Sequence, residues 1–455
     1  MFLRMAICIL LTLSFTSVAF AETYVGKKYN DRLFVPLRGV FQELGCEVGW
    51  EGKSQTVSIS GPAQKIVLRV GSQDVEISGE RKKTELAPRL EDGSVYVPLR
   101  FCAEALGAQV GWDEAAGQAS IQHNNKQIIV RLAANGGALK QYSSRVNNIT
   151  ANVVEIPLGA AKAKVVLANN KIGSTEDLAS MASRSGAVAA INGSFFEAYN
   201  GRPDPWNPLI VNGKVVHAGD VGSTIGFTES GTAKIASVRM KVEGGVNDSY
   251  QWPNNWYAYG FNHTPSSSGA YIFTPERGST IGFSKGISII VSGGKVTRIA
   301  TGEDAAIPSN GYVLNFCGSE EYLATKFNVG DKVSYHVNFT NTGNDNWNDV
   351  VQAVGAGPRL VVNGTVSVNP EGEGYTEAKI TKNGGARSAI GVKRDGTILL
   401  VTVPGATVYQ LAGVMHKLGA YNAMNLDGGA SSGLWLKGKY ITKPGRLLSN
   451  ALIFY

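Results

Sequence analysis

The chain has 455 residues, a length that favours two or three domains over a single hydrophobic core. Glycine contributes 55 residues, about 12% of the chain against ~7% in an average protein, which predicts many turns and short strands instead of long helices. The formal net charge of +7 is a mild excess that favours anionic polymers or phosphate-bearing substrates. No basic run is interleaved with aromatic residues, so the pattern excludes a nucleic-acid-binding protein.

The first 21 residues have the composition of a secretory signal. Arg4 precedes a mostly apolar run over residues 5–18, and Ala19-Phe20-Ala21 fits the small-x-small cleavage pattern. The apolar run is short for a membrane-spanning helix, so we prefer cleavage over an uncleaved anchor. Cleavage would remove Arg4 and leave a net charge of +6.

The mature chain would contain three cysteines, Cys46, Cys102 and Cys317. An odd and sparse set is not a disulfide framework. Buried thiols are therefore the preferred prediction, with a bridge between Cys46 and Cys102 as the alternative.

An internal repeat defines the first domain. Each copy predicts a short strand, a helix that ends at a glycine, and a second strand that carries a tryptophan. Further strands are predicted at 55–60 and 65–70, between the copies. The first copy is Leu33-Phe34-Val35-Pro36-Leu37-Arg38, Glu43-Leu44-Gly45 and Val48-Gly49-Trp50; the second, 62 residues later, is Val95-Tyr96-Val97-Pro98-Leu99-Arg100, Ala105-Leu106-Gly107 and Val110-Gly111-Trp112.

This repeat resembles the copper amine oxidase N-terminal-like domain, a stalk module of many bacterial surface proteins, over about residues 22–132. The resemblance implies a small repeated α/β module that binds the envelope or positions the next domain; a spacer without a ligand is the alternative. Copper is not implied, because His123 is the only histidine of this region and one histidine cannot form a copper site.

Residues 133–455 change in character, to short strands joined by glycine turns. Asn-Gly and related pairs between apolar runs predict β-hairpins. Helices are few, with one predicted to begin near Ser174 or Thr175 before a strand at 187–191. Together these patterns predict an α+β domain built on a mostly antiparallel sheet. The hairpin segments are 209–216, 289–296, 360–366 and 389–403.

The most informative segment is the glycine-rich turn that follows a second predicted helix. Thr407 and Gln410 form a capping-box pattern, and apolar residues at helical spacing continue to Leu418. A strand over 420–426 follows, with Asp427 at its end. From spacing alone, this aspartate fits either a reactive carboxylate or a tight turn that binds its own backbone.

Four motifs in order resemble the phosphodiester glycosidase family, over about residues 145–455. The resemblance implies a hydrolase of glycosyl phosphodiesters, such as those of N-acetylglucosamine. Ala430, Ala356 and His263 depart from the family pattern. The motifs are Ala189-Ala190-Ile191-Asn192-Gly193-Ser194-Phe195-Phe196, Gly357-Pro358-Arg359-Leu360, Arg387-Ser388-Ala389-Ile390-Gly391 and the segment from Asn425 to Ser432.

Given this chemistry, Asp427 is the candidate nucleophile or general base. Arg387 and Arg446 are candidates for a phosphate clamp, because a guanidinium matches phosphate oxygens bidentately. Glu197 is the first candidate for a general acid and Asp204 the second, although a phosphate leaving group can depart without one. Structural pairing, surface charge and solvated loop carboxylates are the alternatives for these residues.

The remaining candidates would contact the substrate. Asn192 and Asn425 could hydrogen-bond sugar hydroxyls or hold the carboxylate in place, and Asn192 alternatively suits an Asx turn. Gly428, Gly429, Asn262 and His263 complete the predicted substrate-binding set.

Other chemistries fit the sequence less well. The five histidines are scattered without zinc-ligand spacing, and there is no Gly-x-Ser-x-Gly motif for serine hydrolysis. We predict no cofactor. Asp345 and Asp349 could offer carboxylates to calcium, but their segment lacks the glycine and the terminal glutamate of an EF-hand, so a solvated loop is preferred.

The resulting hypothesis is a secreted or cell-surface bacterial glycosidase that hydrolyses glycosyl phosphodiester linkages of an envelope or extracellular polysaccharide. Residues 22–132 would associate with the envelope, and no nucleic-acid partner is expected. A non-catalytic glycan-binding or scaffold protein of the same fold is the alternative. Hydrolysis of ordinary glycosides by an acid pair is a third hypothesis.

Overall fold

The computed structural model describes residues 22–30, 32–62, 64–91, 94–113, 117–124, 126–132, 138–343 and 345–455. The predicted signal, residues 1–21, lies outside these ranges. The predicted domain boundary at residue 133 adjoins residues 133–137, which also lie outside them, and it stays a prediction. Within the described ranges, no helix is both long enough and apolar enough to cross a bilayer.

Each copy of the N-terminal repeat folds as a strand, a helix and a strand, as predicted. Gly45 and Gly107 follow the two helices with φ of +84° and +82°, conformations that glycine adopts without steric cost. The strands are β1 (Glu22–Tyr29), β2 (Arg32–Pro36), β3 (Glu47–Glu51), β4 (Thr56–Ser60), β5 (Lys65–Arg69), β6 (Asp74–Ile77), β7 (Glu80–Lys83), β8 (Arg89–Glu91), β9 (Ser94–Pro98), β10 (Gln109–Asp113), β11 (Gln118–His123) and β12 (Lys126–Leu132); the helices are α1 (Leu37–Glu43) and α2 (Leu99–Ala105).

These strands form two sheets that share one hydrophobic core with the two helices. The sheet orders are β10-β11-β12-β1-β2-β9-β8 and β3-β4-β5-β6-β7. Cys46 and Cys102 lie in this core as free thiols, and burial raises the pKa of each. The prediction of buried thiols is confirmed, and the alternative of a bridge between them is wrong.

The rest of the chain is rich in strands and poor in helices, which confirms the predicted class. Its helices are α3 (Leu178–Arg184), α4 (Ala378–Thr381) and α5 (Val408–Lys417), with short 3₁₀ segments at Ala168–Asn170, Pro275–Arg277, Gly318–Lys326, Glu371–Glu373 and Gly429–Ser431. Its strands are β13 (Lys140–Val146), β14 (Ile149–Ile156), β15 (Ala163–Leu167), β16 (Ala189–Asn192), β17 (Leu209–Val211), β18 (Lys214–His217), β19 (Ser223–Thr228), β20 (Ala233–Ala236), β21 (Arg239–Val246), β22 (Asn255–Ala258), β23 (Gly260–Phe261), β24 (Gly269–Phe273), β25 (Ile287–Ser292), β26 (Lys295–Thr301), β27 (Gly311–Cys317), β28 (Val333–Thr340), β29 (Val350–Ala356), β30 (Arg359–Val362), β31 (Thr365–Val366), β32 (Gly385–Lys393), β33 (Ile398–Ala406), β34 (Ala420–Asn425), β35 (Leu434–Leu436), β36 (Lys439–Thr442) and β37 (Asn450–Phe454).

Five sheets, rather than one, organise these strands. All their strand pairs are antiparallel except that of β23 with β24. The largest cluster of buried apolar side chains draws on three of the sheets and packs them face to face. The sheet orders are β13-β14-β33-β32-β34-β30-β31, β15-β37-β16-β35-β36, β18-β17-β29-β19-β20, β22-β21-β28 and β23-β24-β27-β25-β26.

The four predicted hairpins all form. Their turns contain residues at positive φ, as the two-residue hairpin loops require: +51° at Asn212 and +75° at Gly213, and +51° at Asn363 and +79° at Gly364. β32 and β33 pair around the turn at Asp395 and Gly396.

The helix before the aspartate turn is confirmed in detail. The Thr407 hydroxyl accepts from the Gln410 backbone N–H at 3.2 Å, and the Gln410 side chain accepts from the Thr407 N–H at 2.9 Å. The helix predicted near Ser174 begins later, at Leu178, because the Asp177 side chain accepts from the Ser180 N–H and caps it there.

Two sheets converge at the predicted site. α5 packs its apolar face on the seven-stranded sheet, and β34 of that sheet ends at Asn425, just before Asp427. β16 of a neighbouring five-stranded sheet ends at Asn192. The Asp427 N–H donates to the Gly193 carbonyl at 3.1 Å, so the ends of the two strands are joined directly.

Replacing Leu411, a fully buried residue of α5, with alanine tests this packing. We expect Leu411→Ala to lower the free energy of unfolding by about 2–5 kcal/mol, because it removes buried methyl groups and leaves a cavity. Scanning calorimetry measures the shift of the transition. Tyr409→Ala, on the exposed side of the same helix, is the matched control and should change stability by less than about 0.5 kcal/mol. Equal shifts for both variants would contradict the packing.

Candidate active site

Asp427 lies in a cavity of about 290 Å³. The cavity lies between the turn after β34, the segment after β16 and the segment around α4. Its walls combine aromatic side chains, cations and glycine backbone. Its lining includes Tyr199, Trp206, Lys379, Arg387, Asp427 and Arg446.

Asn192 fixes the turn that carries Asp427. Its side-chain N–H donates to the Asp427 carbonyl at 2.7 Å, and its side-chain oxygen accepts from the Gly433 N–H at 3.0 Å. Asn192 is buried, so its amide is used within the protein. Of the two roles predicted for Asn192, the structure favours holding the carboxylate in place over contacting a sugar.

Two glycines make the turn sterically feasible. A Cβ at Gly428 would lie 2.9 Å from the Ala386 carbonyl oxygen, too close for any other residue without a shift of the backbone. Gly429 has φ of +60°, in the left-handed region. Both glycines line the cavity, as predicted for substrate-binding positions, although contact with substrate stays a prediction.

The electrostatics of Asp427 are unusual for an aspartate. Its residue surface is partly open to the cavity, but protein atoms surround the carboxyl group closely, and this burial raises its pKa to about 6. The Ser431 hydroxyl and the Gly428 N–H, at 2.8 Å from Oδ1, oppose the rise by hydrogen-bonding the charged form. Asp427 therefore changes its charge near neutral pH, as catalytic carboxyl groups do.

Two cations act on Asp427 from across the cavity. Arg446 and Lys379 both lower its pKa through their charge. The Arg446 guanidinium donates to the Tyr199 hydroxyl at 2.8 Å. The Lys379 ammonium lies 5.4 Å from the centre of the Trp206 ring and forms a solvent-exposed ion pair with Glu377 at 2.8 Å, which solvent weakens. Lys379 was missed in the sequence, because no motif surrounds it and only the fold of α4 brings it to the cavity.

Arg387 does not have the free guanidinium that a phosphate clamp requires. Its Nε donates to the Ala406 carbonyl at 3.1 Å, and its Nη2 donates to the carbonyls of Lys379 and Asn383, both at 2.7 Å. Arg387 is buried, and burial lowers its pKa. It lines the cavity as predicted, but its Nε holds the end of β33 and its Nη2 holds the segment of α4, so the structure favours a positioning role over the predicted bidentate clamp.

The side chain of Asn425 also bonds to the backbone. Its side-chain N–H donates to the carbonyls of Gly357, at 2.8 Å, and Leu426, at 2.6 Å. The residue is fully buried and does not line the cavity. It links the Gly357-Pro358 motif to β34, which is a positioning role and not the predicted contact with substrate.

The environments of both predicted general acids oppose that role. Backbone N–H groups of Asn200 and Tyr199 donate to Glu197 and lower its pKa. Burial would raise the pKa of Asp204, but the charge of Arg277 and hydrogen bonds from Thr264 outweigh it and lower the pKa. A general acid needs a raised pKa, and neither carboxylate lines the Asp427 cavity.

Asn262 and His263 lie elsewhere, beside the pair of Asp204 and Arg277. The Asn262 side chain bonds with Val216 and Thr274 and is fully buried. His263 stacks edge to face on His217, with ring centres 6.0 Å apart, and burial lowers its pKa. The structure therefore does not bring this predicted pair to Asp427.

A larger cavity, of about 670 Å³, lies in the N-terminal module between α2 and β10. Charged residues that line it form two ion pairs, Arg32 with Glu85 and Arg100 with Glu104. Size alone does not identify an active site. The smaller cavity contains a carboxyl group with a shifted pKa and three cations, Lys379, Arg387 and Arg446, so the chemistry points there.

One of the two carboxylates that could offer oxygens to calcium, Asp349, is already paired with a lysine. The Lys234 ammonium donates to both oxygens of Asp349, at 3.0 and 3.1 Å, and so supplies the positive charge that an ion would otherwise provide. Within the described part of the chain, no three histidine, cysteine or acidic residues are grouped to hold a metal ion.

The raised pKa of Asp427 predicts a pH-dependent cost in stability. The folded protein holds the proton more tightly than the unfolded chain, so the cost is present above pH 6 and absent below about pH 4. We expect Asp427→Asn to stabilise the protein by up to about 3 kcal/mol above pH 7, with the gain shrinking as the pH falls to 4. Thermal denaturation across this range measures it. Asp220→Asn, at an exposed position, is the control, and a gain independent of pH would contradict the assignment.

Comparisons with known proteins agree with this architecture. Residues 285–455 match the phosphodiester glycosidase family, and residues 17–133 match the copper amine oxidase N-terminal domain. A protease inhibitor of Brevibacillus choshinensis is 31% identical over 83 residues, 18% of this chain and 26% of the relative. The chain thus spans about a quarter of the length of that curated relative.

Two solved structures share the fold over almost the whole chain. A hypothetical protein from Synechocystis has a TM-score of 0.61 at 17% identity and covers 96% of this chain and 99% of its own. A protein of Burkholderia pseudomallei K96243, described as exported, has a TM-score of 0.55 at 19% identity, with 90% and 96% covered. These likenesses concern the fold alone.

Proposed function

We propose that the protein is a secreted hydrolase that cleaves glycosyl phosphodiester linkages in an envelope or extracellular polysaccharide. The observation that carries the proposal is the cavity in which Asp427, with a pKa of about 6, faces Arg446 and Lys379. The match of residues 285–455 to the phosphodiester glycosidase family supports the same reaction class.

The two charges suit the two halves of the substrate. As the bond between the anomeric carbon and the phosphate oxygen breaks, positive charge develops on the sugar and the departing phosphate keeps the electron pair. The Asp427 carboxylate stabilises the first centre, either by bonding to the anomeric carbon or by taking a proton from the attacking water. Arg446 and Lys379 stabilise the phosphate. The leaving group is already stable as an anion, so the reaction proceeds without a general acid, in keeping with the low pKa values of Glu197 and Asp204.

The alternative hypotheses fit this cavity less well. Hydrolysis of ordinary glycosides needs two carboxyl groups across the scissile bond, and Asp427 is the one acidic residue among the described residues that line the cavity. A non-catalytic glycan-binding protein would keep its glycan affinity in Asp427→Asn and would release no sugar. Secretion rests on the pattern around Arg4, and envelope association of residues 22–132 rests on the match of residues 17–133 to the copper amine oxidase N-terminal domain.

The first test is activity on a synthetic sugar phosphodiester. We expect release of free sugar by the wild-type protein and a loss of about 100-fold or more in kcat/KM for Asp427→Asn, because no other carboxylate replaces it. For a nucleophile or a base, kcat/KM should rise with pH through about 6 and then level off, because the ionised form reacts. A rate that falls over the same range would instead make Asp427 an acid. Equal inactivity of both proteins on a broad panel of glycosyl phosphates would contradict the enzyme hypothesis.

The cations are tested separately. We expect Lys379→Met and Arg446→Met each to lower kcat/KM for the phosphodiester by roughly 10- to 100-fold, because each removes a charged hydrogen-bond donor to phosphate. Steady-state kinetics and inhibition by inorganic phosphate measure the loss. Lys382→Met removes an exposed lysine three residues from Lys379 and is the matched control. If it weakens activity as much as Lys379→Met, the effect is one of overall charge and the clamp is disproved.

A further inference from the structure

A second surface of the larger domain presents aromatic side chains to solvent. Tyr250, Trp252 and Tyr257 lie on the hairpin of β21 and β22, and we call them the aromatic patch. Trp252 is 80% exposed, whereas Trp256 on the same hairpin is only 2% exposed. Side chains alternate along a strand, so Trp256 enters the core while Tyr257 faces solvent.

The loop that carries Trp252 is anchored at its base. The Asn247 side chain donates to Asp331 at 2.9 Å and accepts from the Lys332 N–H at 3.0 Å. The Tyr250 ring lies 5.1 Å from the His336 ring, and its hydroxyl is 2.9 Å from that of Ser334. The patch is therefore held on a fixed loop and on the neighbouring strand β28.

Two lysines accompany the aromatic rings. The Lys326 ammonium lies 4.8 Å from the centre of the Trp252 ring, and that of Lys241 lies 4.8 Å from the centre of the Tyr257 ring. Lys241 forms an ion pair with Glu243, so its charge is compensated.

Lys326 differs from Lys241 in lacking a counter-charge. Its ammonium donates to the Asn255 carbonyl at 2.7 Å, and within the described part of the chain it forms no ion pair with an acidic side chain. Burial lowers its pKa, because the charged group is partly removed from water with no anion beside it. An anionic group at this position would restore the balance of charge.

We propose that the aromatic patch and Lys326 bind a segment of a phosphate-bearing glycan chain, apart from the Asp427 cavity. The faces of sugar rings stack on exposed aromatic rings, and a phosphate group pairs with the uncompensated ammonium of Lys326. None of these residues lines the cavity of Asp427. The kind of polymer rests on the proposed function, since a polymer cleaved in the cavity would extend to other surfaces of the enzyme.

Calorimetric titration tests this surface with two probes: a hexasaccharide whose units are joined by phosphodiesters, and a neutral hexasaccharide of the same sugar. Each variant is combined with Asp427→Asn, because the proposed reaction would cleave the phosphodiester probe during the titration. We expect Trp252→Ala to weaken binding of the phosphodiester probe by roughly 10-fold, because the stacking platform is lost. Lys326→Gln should weaken binding of that probe and leave the neutral one unchanged. Tyr409→Ala, which removes an exposed tyrosine of α5, is the control for loss of an aromatic side chain.

Wild-type affinity in Trp252→Ala, or no binding of either probe by the wild-type protein, would overturn the proposal. Equal losses for both probes in Lys326→Gln would overturn the phosphate contact. Turnover of a small sugar phosphodiester separates this proposal from the enzymatic one. Trp252→Ala should keep that turnover, and Asp427→Asn should keep the affinity of the patch. Binding that depends on Trp252, in a protein without any turnover, would support the patch and refute the enzyme.

Discussion

The candidate site depends on one buried amide. Asn192 ends a strand of one sheet, and its side chain bonds to the Asp427 carbonyl and to the Gly433 N–H, at the two ends of the turn that follows a strand of another sheet. An isolated glycine-rich turn would have many conformations, because glycine restricts φ so little. The contacts of Asn192 select one of them, and they do so from 235 residues away in the sequence. The position of the Asp427 carboxylate is thus a property of how two sheets pack together.

Two aspartates of this protein meet the cost of burying a carboxylate in different ways. Asp204 is almost entirely buried, and Arg277 donates to both of its oxygens at 2.9 Å, which keeps it ionised and occupied. Asp427 is surrounded by protein too, but within the described part of the chain it has no such ion pair, and its pKa rises to about 6. The cost of desolvation is therefore met by a direct partner at Asp204 and is left partly unmet at Asp427. A carboxylate left in this state gains the most when positive charge develops next to it, as it does at an anomeric carbon.

The sequence predicted local structure well and long-range contacts poorly. The Thr407 capping box, the Asn-Gly hairpins and the two strand–helix–strand repeats each depend on neighbouring residues, and all of them form as predicted. Motif order also brought Asn192 and Asp427 together correctly. It could not assign the roles of the side chains, because an arginine serves phosphate binding and carbonyl binding equally well. Arg387 bonds to carbonyls of α4 and β33, and no local sequence pattern predicts these contacts.

The errors at Arg387 and Lys379 have one common cause. The Arg387 guanidinium donates to the backbone carbonyls of residues 379 and 383, so it fixes the segment in which Lys379 lies. Buried Arg387 thus positions Lys379, an exposed residue with a long and flexible side chain, at the edge of the cavity. This division has a physical advantage for a phosphate leaving group. In the proposed reaction, the lysine would meet the phosphate as a flexible point charge, while the buried guanidinium of Arg387 keeps its bonds to the backbone.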